Sequence, residues 1–139
     1  MTYDPDNIFA KIIRGEMPSH KVYEDDDVFS FMDIFPQARG HTLVIPKTPA
    51  TNLFDMPDDA LGTLIQKTRK VATAVREVLK PDGIVLTQFN GAAAGQTVFH
   101  IHFHILPRWE GEALGRHAGG ERADDTELAK MATEIGALL

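Results

Sequence analysis

The stretch QTVFHIHFHILPRW, residues 96–109, places three of the chain's six histidines at alternate positions inside an apolar run. Successive side chains of a β-strand point to opposite faces, so residues 98–106 are predicted to form a strand with two unlike faces. Phenylalanine and isoleucine fill one face, which we expect to belong to the core. The other face needs a chemical explanation, because it carries Val98, His100, His102 and His104.

Two interpretations of this histidine face involve no attack by histidine. A solvated strand face normally carries Thr, Lys or Glu, so simple exposure is the weaker of the two. A metal site is the other, because imidazole is the commonest metal ligand in proteins. Same-face residues of a strand lie ~6.6 Å apart, so one ion would take two histidines of the row. It would recruit its remaining ligands from a carboxylate or from His20, His41 or His117.

A third interpretation is nucleophilic attack on phosphorus. Neutral imidazole is a good nucleophile near pH 7, because its reference pKa of ~6.5 leaves much of it unprotonated. His102, the middle histidine, would attack, while His100 and His104 would orient it or donate to the phosphoryl oxygens. The segment NGAAAG, residues 90–95, favours this interpretation, because small residues let backbone amides approach an anion closely.

The rest of the chain predicts three helices and four more strands. Apolar spacing indicates helices over Asn7–Arg14, from about Pro57 to just before Pro81, and from about Asp124 onward. Aliphatic and aromatic runs bounded by turn residues indicate strands over Lys21–Glu24, Val28–Asp33, His41–Pro46 and Ile84–Phe89. The region from Glu110 to Arg122 has the weakest pattern. We therefore expect an α+β fold with a five-stranded antiparallel sheet that is covered on one face.

Length and composition set the outer limits on function. A chain of 139 residues fits one domain spanning residues 1–139, and 43% hydrophobic with 24% charged residues is typical of a globular protein. The net charge of −6 argues against nucleic-acid binding, which depends on clustered Lys and Arg. The absence of cysteine excludes disulfides, thiolate metal sites and cysteine nucleophiles. Without a signal peptide or a membrane-length apolar run, we expect a cytoplasmic protein that binds no membrane.

The histidine run resembles a known signature. HIHFHIL, residues 100–106, matches the His-x-His-x-His pattern of the histidine triad (HIT) superfamily. FAKIIRGEMP at 9–18, VYEDD at 22–26 and MDIFPQARGHTLVIPK at 32–47 resemble the Hint branch, in order and at the usual spacing. The resemblance covers about residues 7–108.

This resemblance implies a homodimeric nucleotide hydrolase whose two subunits form a joint ten-stranded sheet. The implied substrates are purine nucleoside 5′-phosphoramidates and aminoacyl adenylates. By correspondence with the family motif, His102 is the nucleophile that forms a nucleotidyl-imidazole intermediate, and water then hydrolyses this intermediate. His100 and His104 flank it and contact the phosphate, while His41 lies behind the triad and extends its proton network.

The resemblance also implies the substrate-binding residues. Asp33 matches the acidic residue that receives the ribose hydroxyls, and Asn90 matches a residue on the phosphate side. Gln96 and Thr97 match positions that hydrogen-bond the phosphate and the leaving group. The base pocket would be apolar and lined by Ile8, Phe9, Ile12, Phe31 and Ile34.

The chain departs from the family pattern in two places. Some bacterial relatives hold structural zinc with two cysteines, a histidine and the first triad histidine. The three corresponding positions here are Asn7, Ala10 and Pro49, so we expect no structural metal and no other cofactor. The tail from Glu110 to Leu139 does not match the short C-terminal end of animal Hint proteins. The specificity for the leaving group therefore stays open.

Two other functions remain open at this point. One is a dinucleoside polyphosphate hydrolase of the same superfamily, which would act faster on diadenosine polyphosphates than on phosphoramidates. The other is a nucleotide-binding interaction protein whose turnover is incidental. Tight nucleotide binding with negligible turnover would favour it.

Overall fold

The computed structural model of the protein describes residues 2–117 and 120–139. It contains three α-helices, α1 Ile8–Ile13, α2 Asp58–Leu79 and α3 Asp125–Gly136, and short 3₁₀ helices at Leu53–Asp55 and Ala92–Ala94. The five strands are β1 Lys21–Glu24, β2 Val28–Met32, β3 Thr42–Pro46, β4 Gly83–Thr87 and β5 Phe103–Arg108. They form one sheet in the order β1-β2-β3-β5-β4, and every neighbouring pair is antiparallel. The expected α+β class with a five-stranded antiparallel sheet is confirmed.

Helices α2 and α3 cover one face of the sheet. Asp58 and Asp59 lie in the first turn of α2, where carboxylates stabilise the helix dipole. The buried stripe of α2 includes Leu64, Val71 and Val75, and it packs in the same cluster as Val44 and Ile105 of the sheet. None of the helices among residues 2–117 and 120–139 combines the length and the apolar character that a membrane span requires.

We had expected the opposite face of the sheet to be uncovered. It carries the short helix α1 instead. The side chain of Asn7 caps α1 by accepting a hydrogen bond from the amide of Ala10. Phe9 and Ile12 then pack on the face of β2 and β3 that points away from α2, in a second apolar cluster with Phe29, Phe31, Leu43 and Ile45. Because α1 has only six residues, it covers part of this face.

The histidine run forms a shorter strand than its alternation predicts. Strand β5 begins at Phe103 rather than Val98, and β3 pairs only with Phe103 to Ile105. The amide of Ile101 donates to the carbonyl of Ala50 at 2.9 Å, outside the sheet ladder. The in-and-out alternation nevertheless holds from Ile101, because Ile101 and Ile105 are fully buried in the main core.

Candidate active site

A cavity of about 490 Å³ opens on the α1 side of the sheet. Phe31, Leu43 and His104 are paired neighbours across β2, β3 and β5, so the sheet itself places an imidazole beside an apolar wall. Helix α1 supplies a second apolar wall through Ile8, Phe9 and Ile12. The polar and titratable side chains that line the cavity are Ser19, His20, Asp33, Thr97, His102, His104, His117, Arg122 and Asp125.

His102 holds its ring in one tautomer. Its Nδ1 lies 2.7 Å from the carbonyl oxygen of His100, and a carbonyl only accepts, so Nδ1 carries the proton and Nε2 the lone pair. The ring packs edge-on against Phe9, with 4.8 Å between the ring centroids. Burial lowers the pKa of His102 to about 4, although the hydrogen bond to His100 acts in the opposite direction. The ring is therefore neutral at pH 7, with its nucleophilic nitrogen free.

A chain of hydrogen bonds fixes the tautomers of His41 and His104. The amide of Gln37 donates to His41 Nδ1 at 3.0 Å, so His41 carries its proton on Nε2 and donates it to His104 Nδ1 at 2.9 Å. The proton of His104 then lies on Nε2, a buried atom without a partner among the described residues. Burial lowers the pKa of His41 to about 3 and also lowers that of His104, so both rings are neutral donors.

His100 contributes to the site through its backbone. Its Nε2 donates to the carbonyl of Pro46 at 2.8 Å, and its Nδ1 accepts from the hydroxyl of Tyr3 at 2.7 Å. Both ring nitrogens are therefore engaged, and the ring is only 1% exposed. The carbonyl of His100 is the group that meets His102.

Asp33 follows β2 and brings a carboxyl group to the cavity wall. Its Oδ1 accepts from the amide of Phe35 at 2.8 Å, and its Oδ2 lies 3.5 Å from His41 Nε2. Burial raises the pKa of Asp33 to about 6. The carboxyl thus stands ready to accept hydrogen bonds from hydroxyl groups next to the apolar walls.

The family model described as HIT domain matches residues 14–111. The chain belongs to the HIT family. Among curated HIT relatives, the protein hit of Bacillus subtilis is 42% identical over 125 residues, which is 86% of each chain. Adenylylsulfatase HINT3 of Arabidopsis thaliana is 39% identical over 123 residues, covering 84% of this chain and 62% of the plant protein.

Solved HIT structures share the fold. A Hit-like protein from Bartonella henselae superposes with a TM-score of 0.91 at 50% identity, covering 99% of this chain and 100% of the other. A zinc-bound histidine triad protein from Mycobacterium smegmatis gives 0.82 at 36% identity, with 96% and 92% covered. A histidine triad nucleotide-binding protein from Candida albicans gives 0.71 at 35% identity, with 95% and 96% covered.

One group of side chains in the described part of this HIT domain has the spacing of a metal site. The potential ligand atoms of Asp33, His41 and His104 lie within 4.8 Å of one another. A histidine bound to a metal through Nε2 has to carry its proton on Nδ1. In His41 that nitrogen already accepts from the amide of Gln37, so its tautomer is the wrong one for a ligand at Nε2. These residues therefore fit a proton relay better than a metal site.

Most of the residues predicted for substrate binding line the cavity. All five apolar positions do so, and Asp33, Thr97, His102 and His104 join them. Gln96 and Asn90 instead organise the loop before the histidine run. The Gln96 amide group bonds Gly91, Thr51 and Val98, and Asn90 Oδ1 accepts from the amide of Leu53 at 2.9 Å. Their proposed phosphate contacts stay predictions.

The loop at residues 90–95 differs from the anion cradle that its composition suggests. Four amides at its turn, those of Gly91, Ala94, Gly95 and Gln96, donate to acceptors within residues 91–96. Gly91 and Gly95 have φ of 95° and 106°, values that favour glycine. The small residues therefore serve the tight turn, and Thr97 and Val98 are the positions that reach the cavity.

Sequence reasoning did not place two residues of the site. Tyr3 contacts His100 from an N-terminal segment whose sequence pattern does not indicate a function. His117 lies in the weakly patterned tail, and we considered it only as a distant metal ligand. Gly115 and Gln37 exchange hydrogen bonds, and these tie the tail to the loop that holds His41. The one available signal was a histidine in a glycine-rich segment.

Proposed function

We propose that this HIT protein hydrolyses purine nucleoside 5′-phosphoramidates or aminoacyl adenylates through a nucleotidyl intermediate on His102. The state of His102 carries this proposal. Its neutral ring, with Nδ1–H held by the His100 carbonyl and Nε2 unprotonated in a cavity, is the arrangement that a nitrogen nucleophile needs at pH 7. The relative named adenylylsulfatase supports a substrate with a nucleotidyl group.

The cavity offers matching sites for the parts of a nucleotide. The apolar walls from α1 and β2 suit a flat base, and Phe9 and Phe31 stand edge to face with 5.3 Å between ring centroids. Asp33 would accept hydrogen bonds from the ribose hydroxyls. The phosphate would then lie at the histidine end, where the unpartnered Nε2–H of His104 can donate to a phosphoryl oxygen.

The reaction then runs in two displacements at phosphorus. His102 Nε2 forms a bond to phosphorus while the bond from phosphorus to the leaving nitrogen or acyl oxygen breaks, and the bonding pair departs with the leaving group. Water next attacks the nucleotidyl-imidazole, and the electron pair of the P–N bond returns to His102. Because Nδ1–H stays on the His100 carbonyl throughout, His102 ends in the tautomer in which it began.

Steady-state hydrolysis of an adenosine 5′-phosphoramidate with a fluorescent amine, in EDTA, tests this proposal. The wild type should turn over, and His102→Ala should lose at least ~10³-fold in kcat. Circular dichroism and thermal unfolding would show that the variant is folded. Equal rates for both proteins would refute attack by His102.

A panel of further substrates separates the alternative functions. Faster hydrolysis of diadenosine polyphosphates than of phosphoramidates would indicate a dinucleoside polyphosphate hydrolase. Adenylyl sulfate belongs in the panel because of the plant relative. Tight binding of adenosine monophosphate without turnover of any substrate would indicate a binding protein.

We also propose a homodimer in the cytoplasm, joined along β4. This strand is an edge of the sheet and exposes Val85 and Leu86 to 38% and 43%. A depression of about 660 Å³ that contains no histidine lies beside it, between β4 and α2. Pairing of two β4 edges would cover this surface and give a ten-stranded sheet. Sedimentation should report a dimer, and Leu86→Glu should shift it toward monomer.

A further inference from the structure

His117 brings a third imidazole, after His102 and His104, to the histidine end of the cavity. Its ring lies against His104 and Phe89, with centroid separations of 5.5 and 4.9 Å. It lines the same cavity as His102 and His104 but arrives from the tail of the chain. The hydrogen bonds between Gly115 and Gln37 hold that part of the tail in place.

One nitrogen of His117 is anchored and the other is free. Nε2 lies 2.7 Å from the carbonyl of Gly95, so Nε2 carries a proton and donates it. Nδ1 has no protein partner among the described residues. His41 and His100 have both nitrogens engaged by the protein, and the free Nε2 of His102 is the nucleophile. His117 can therefore exchange a proton at Nδ1 while its Nε2 stays on the Gly95 carbonyl. His20 also lines the cavity, where its Nε2 lies 2.9 Å from Asp125 Oδ1.

The proposed double displacement needs such a group on the leaving-group side. An in-line attack by His102 expels the leaving group on the far side of phosphorus, and water must enter from that same side in the second step. A departing amine needs a proton, and the incoming water has to lose one. A single base can supply the first and take up the second, which closes the proton balance.

Building on the proposed function, we propose that His117 exchanges this proton through Nδ1. In the first step, His117 Nδ1–H gives its proton to the amine as the P–N bond of the substrate breaks. In the second step, neutral His117 Nδ1 takes a proton from water as the water oxygen bonds to phosphorus and His102 leaves. Each phosphoramidate cycle ends with His117 protonated again. With an acyl adenylate, whose carboxylate leaves without a proton, His117 releases its proton to solvent before it accepts one from water.

The ionisable groups around His117 are consistent with this role. His104 touches its ring, while His102, Asp33 and Arg122 line the same cavity and His41 stands behind His104. Burial keeps the pKa of His41, His102 and His104 low, so these three rings remain neutral when His117 gains a proton. The carboxyl of Asp33 lies next to His41, and Asp125 and His20 also line the cavity.

The test uses His117→Gln in the full-length protein. The glutamine amide group can still donate to the Gly95 carbonyl, but it cannot accept a proton. Glu112→Gln, an exposed change in the same tail segment, is the matched control. Rapid-quench kinetics follow an adenosine phosphoramidate with a basic amine and an acyl adenylate, whose carboxylate leaving group needs no proton.

The proposal predicts a split between the two substrates. With the phosphoramidate, His117→Gln should lose ~10²-fold or more already in the first turnover. With the acyl adenylate, the first equivalent of carboxylate should be released at a rate within about twofold of the wild type. Turnover then slows, and nucleotidyl enzyme accumulates. Equal losses in the first turnover of both substrates, or no loss at all, would overturn the role of His117.

Chemical rescue adds a second readout. His117→Ala vacates one side of the cavity, and added imidazole should restore its turnover in a concentration-dependent way while leaving Glu112→Gln unaffected. Failure of imidazole to rescue a folded variant would speak against proton exchange. If the wild type itself formed no nucleotidyl enzyme, the proposed function would fail, and the inference would fail with it. If the wild type forms the intermediate but the His117→Gln variant is unaffected, the inference is refuted and the proposed function stands.

Discussion

His41 donates its Nε2 proton to Nδ1 of His104 across 2.9 Å, and this contact fixes which nitrogen of His104 carries the proton. This chain of hydrogen bonds begins at the backbone amide of Gln37, whose proton cannot move to another atom. It ends at His104 Nε2–H, a buried donor that has no partner within residues 2–117 and 120–139. A main-chain donor thus sets the donor and acceptor roles of two successive side chains, His41 and His104.

The first prediction concerns these tautomers. Long-range ¹H–¹⁵N spectra at pH 7 should show His102 protonated at Nδ1, and His41, His100 and His104 protonated at Nε2. The physical reason is the fixed donor or acceptor that each ring meets in the backbone or in its neighbour. A His102 ring protonated at Nε2 would contradict the account, because its nucleophilic lone pair would be missing.

A second prediction follows from the burial of the triad. His41 and His102 have pKa values lowered to about 3 and 4, so their ring signals should not titrate between pH 8 and 5. In the unfolded chain the same rings take up protons near pH 6.5. These residues therefore contribute stability above pH 6.5 that is lost as the pH falls. A titration of either ring near 6.5 in the folded protein would refute this.

Asp33 gives a third prediction, with the opposite sign. Its folded-state pKa of about 6 lies above the ordinary 3.8, so the folded protein binds this proton more tightly than the unfolded chain. Its contribution to stability is full below pH ~4 and is lost as the pH rises through about 6. Asparagine at this position has no such charge. The stability of Asp33→Asn relative to the wild type should therefore increase from pH 5 to pH 8, by about 1.4 kcal/mol.

Urea denaturation at both pH values measures this difference. The exposed Asp26→Asn is the matched control, since its carboxyl lies on the surface. The same Asp33→Asn variant should bind adenosine monophosphate more weakly, because a carboxylate acceptor for the ribose is lost. If the stability difference between Asp33→Asn and the wild type does not change with pH, burial does not raise the pKa of this carboxyl.

The fourth prediction tests the contact between Tyr3 and His100. Tyr3→Phe keeps the aromatic packing, with 5.7 Å between centroids, but removes the hydroxyl that donates to His100 Nδ1. We expect a loss of ~1 kcal/mol in stability and a several-fold fall in kcat, because His100 positions His102 through its carbonyl. Tyr23→Phe makes the same chemical change in the hydroxyl that bonds Asp25, and its kcat should equal that of the wild type. Equal kcat in both variants would show that Tyr3 does not position His100.

Much of the fold could be read from local patterns. The apolar stripe of α2, the short helix α1 and the alternating strands appear in the structure within a few residues of their predicted bounds. Strand β5 is the instructive exception. Its alternation extends back to Val98, but the amide of Ile101 bonds Ala50 instead of a neighbouring strand. Alternation reports which way side chains point, whereas strand length depends on a partner that the sequence does not name.

The site was predictable to the extent that its residues repeat a pattern. The triad is evident from its spacing, whereas the apolar base wall was expected only from the resemblance to the Hint branch. Tyr3 and His117 do not, because each reaches the histidines through folding of a distant segment rather than through local order. The loop at residues 90–95 shows the reverse error: small residues that suggested an anion site are needed for the turn itself.

Direct capture of the intermediate tests the central claim most sharply. The wild type is mixed with an adenosine 5′-phosphoramidate labelled in the phosphate, quenched in denaturant within the first turnover, and digested for mass spectrometry. The account predicts one acid-labile nucleotidyl group, bound to His102 and absent from His102→Ala. Label on any other residue, or full turnover by His102→Ala, would contradict it.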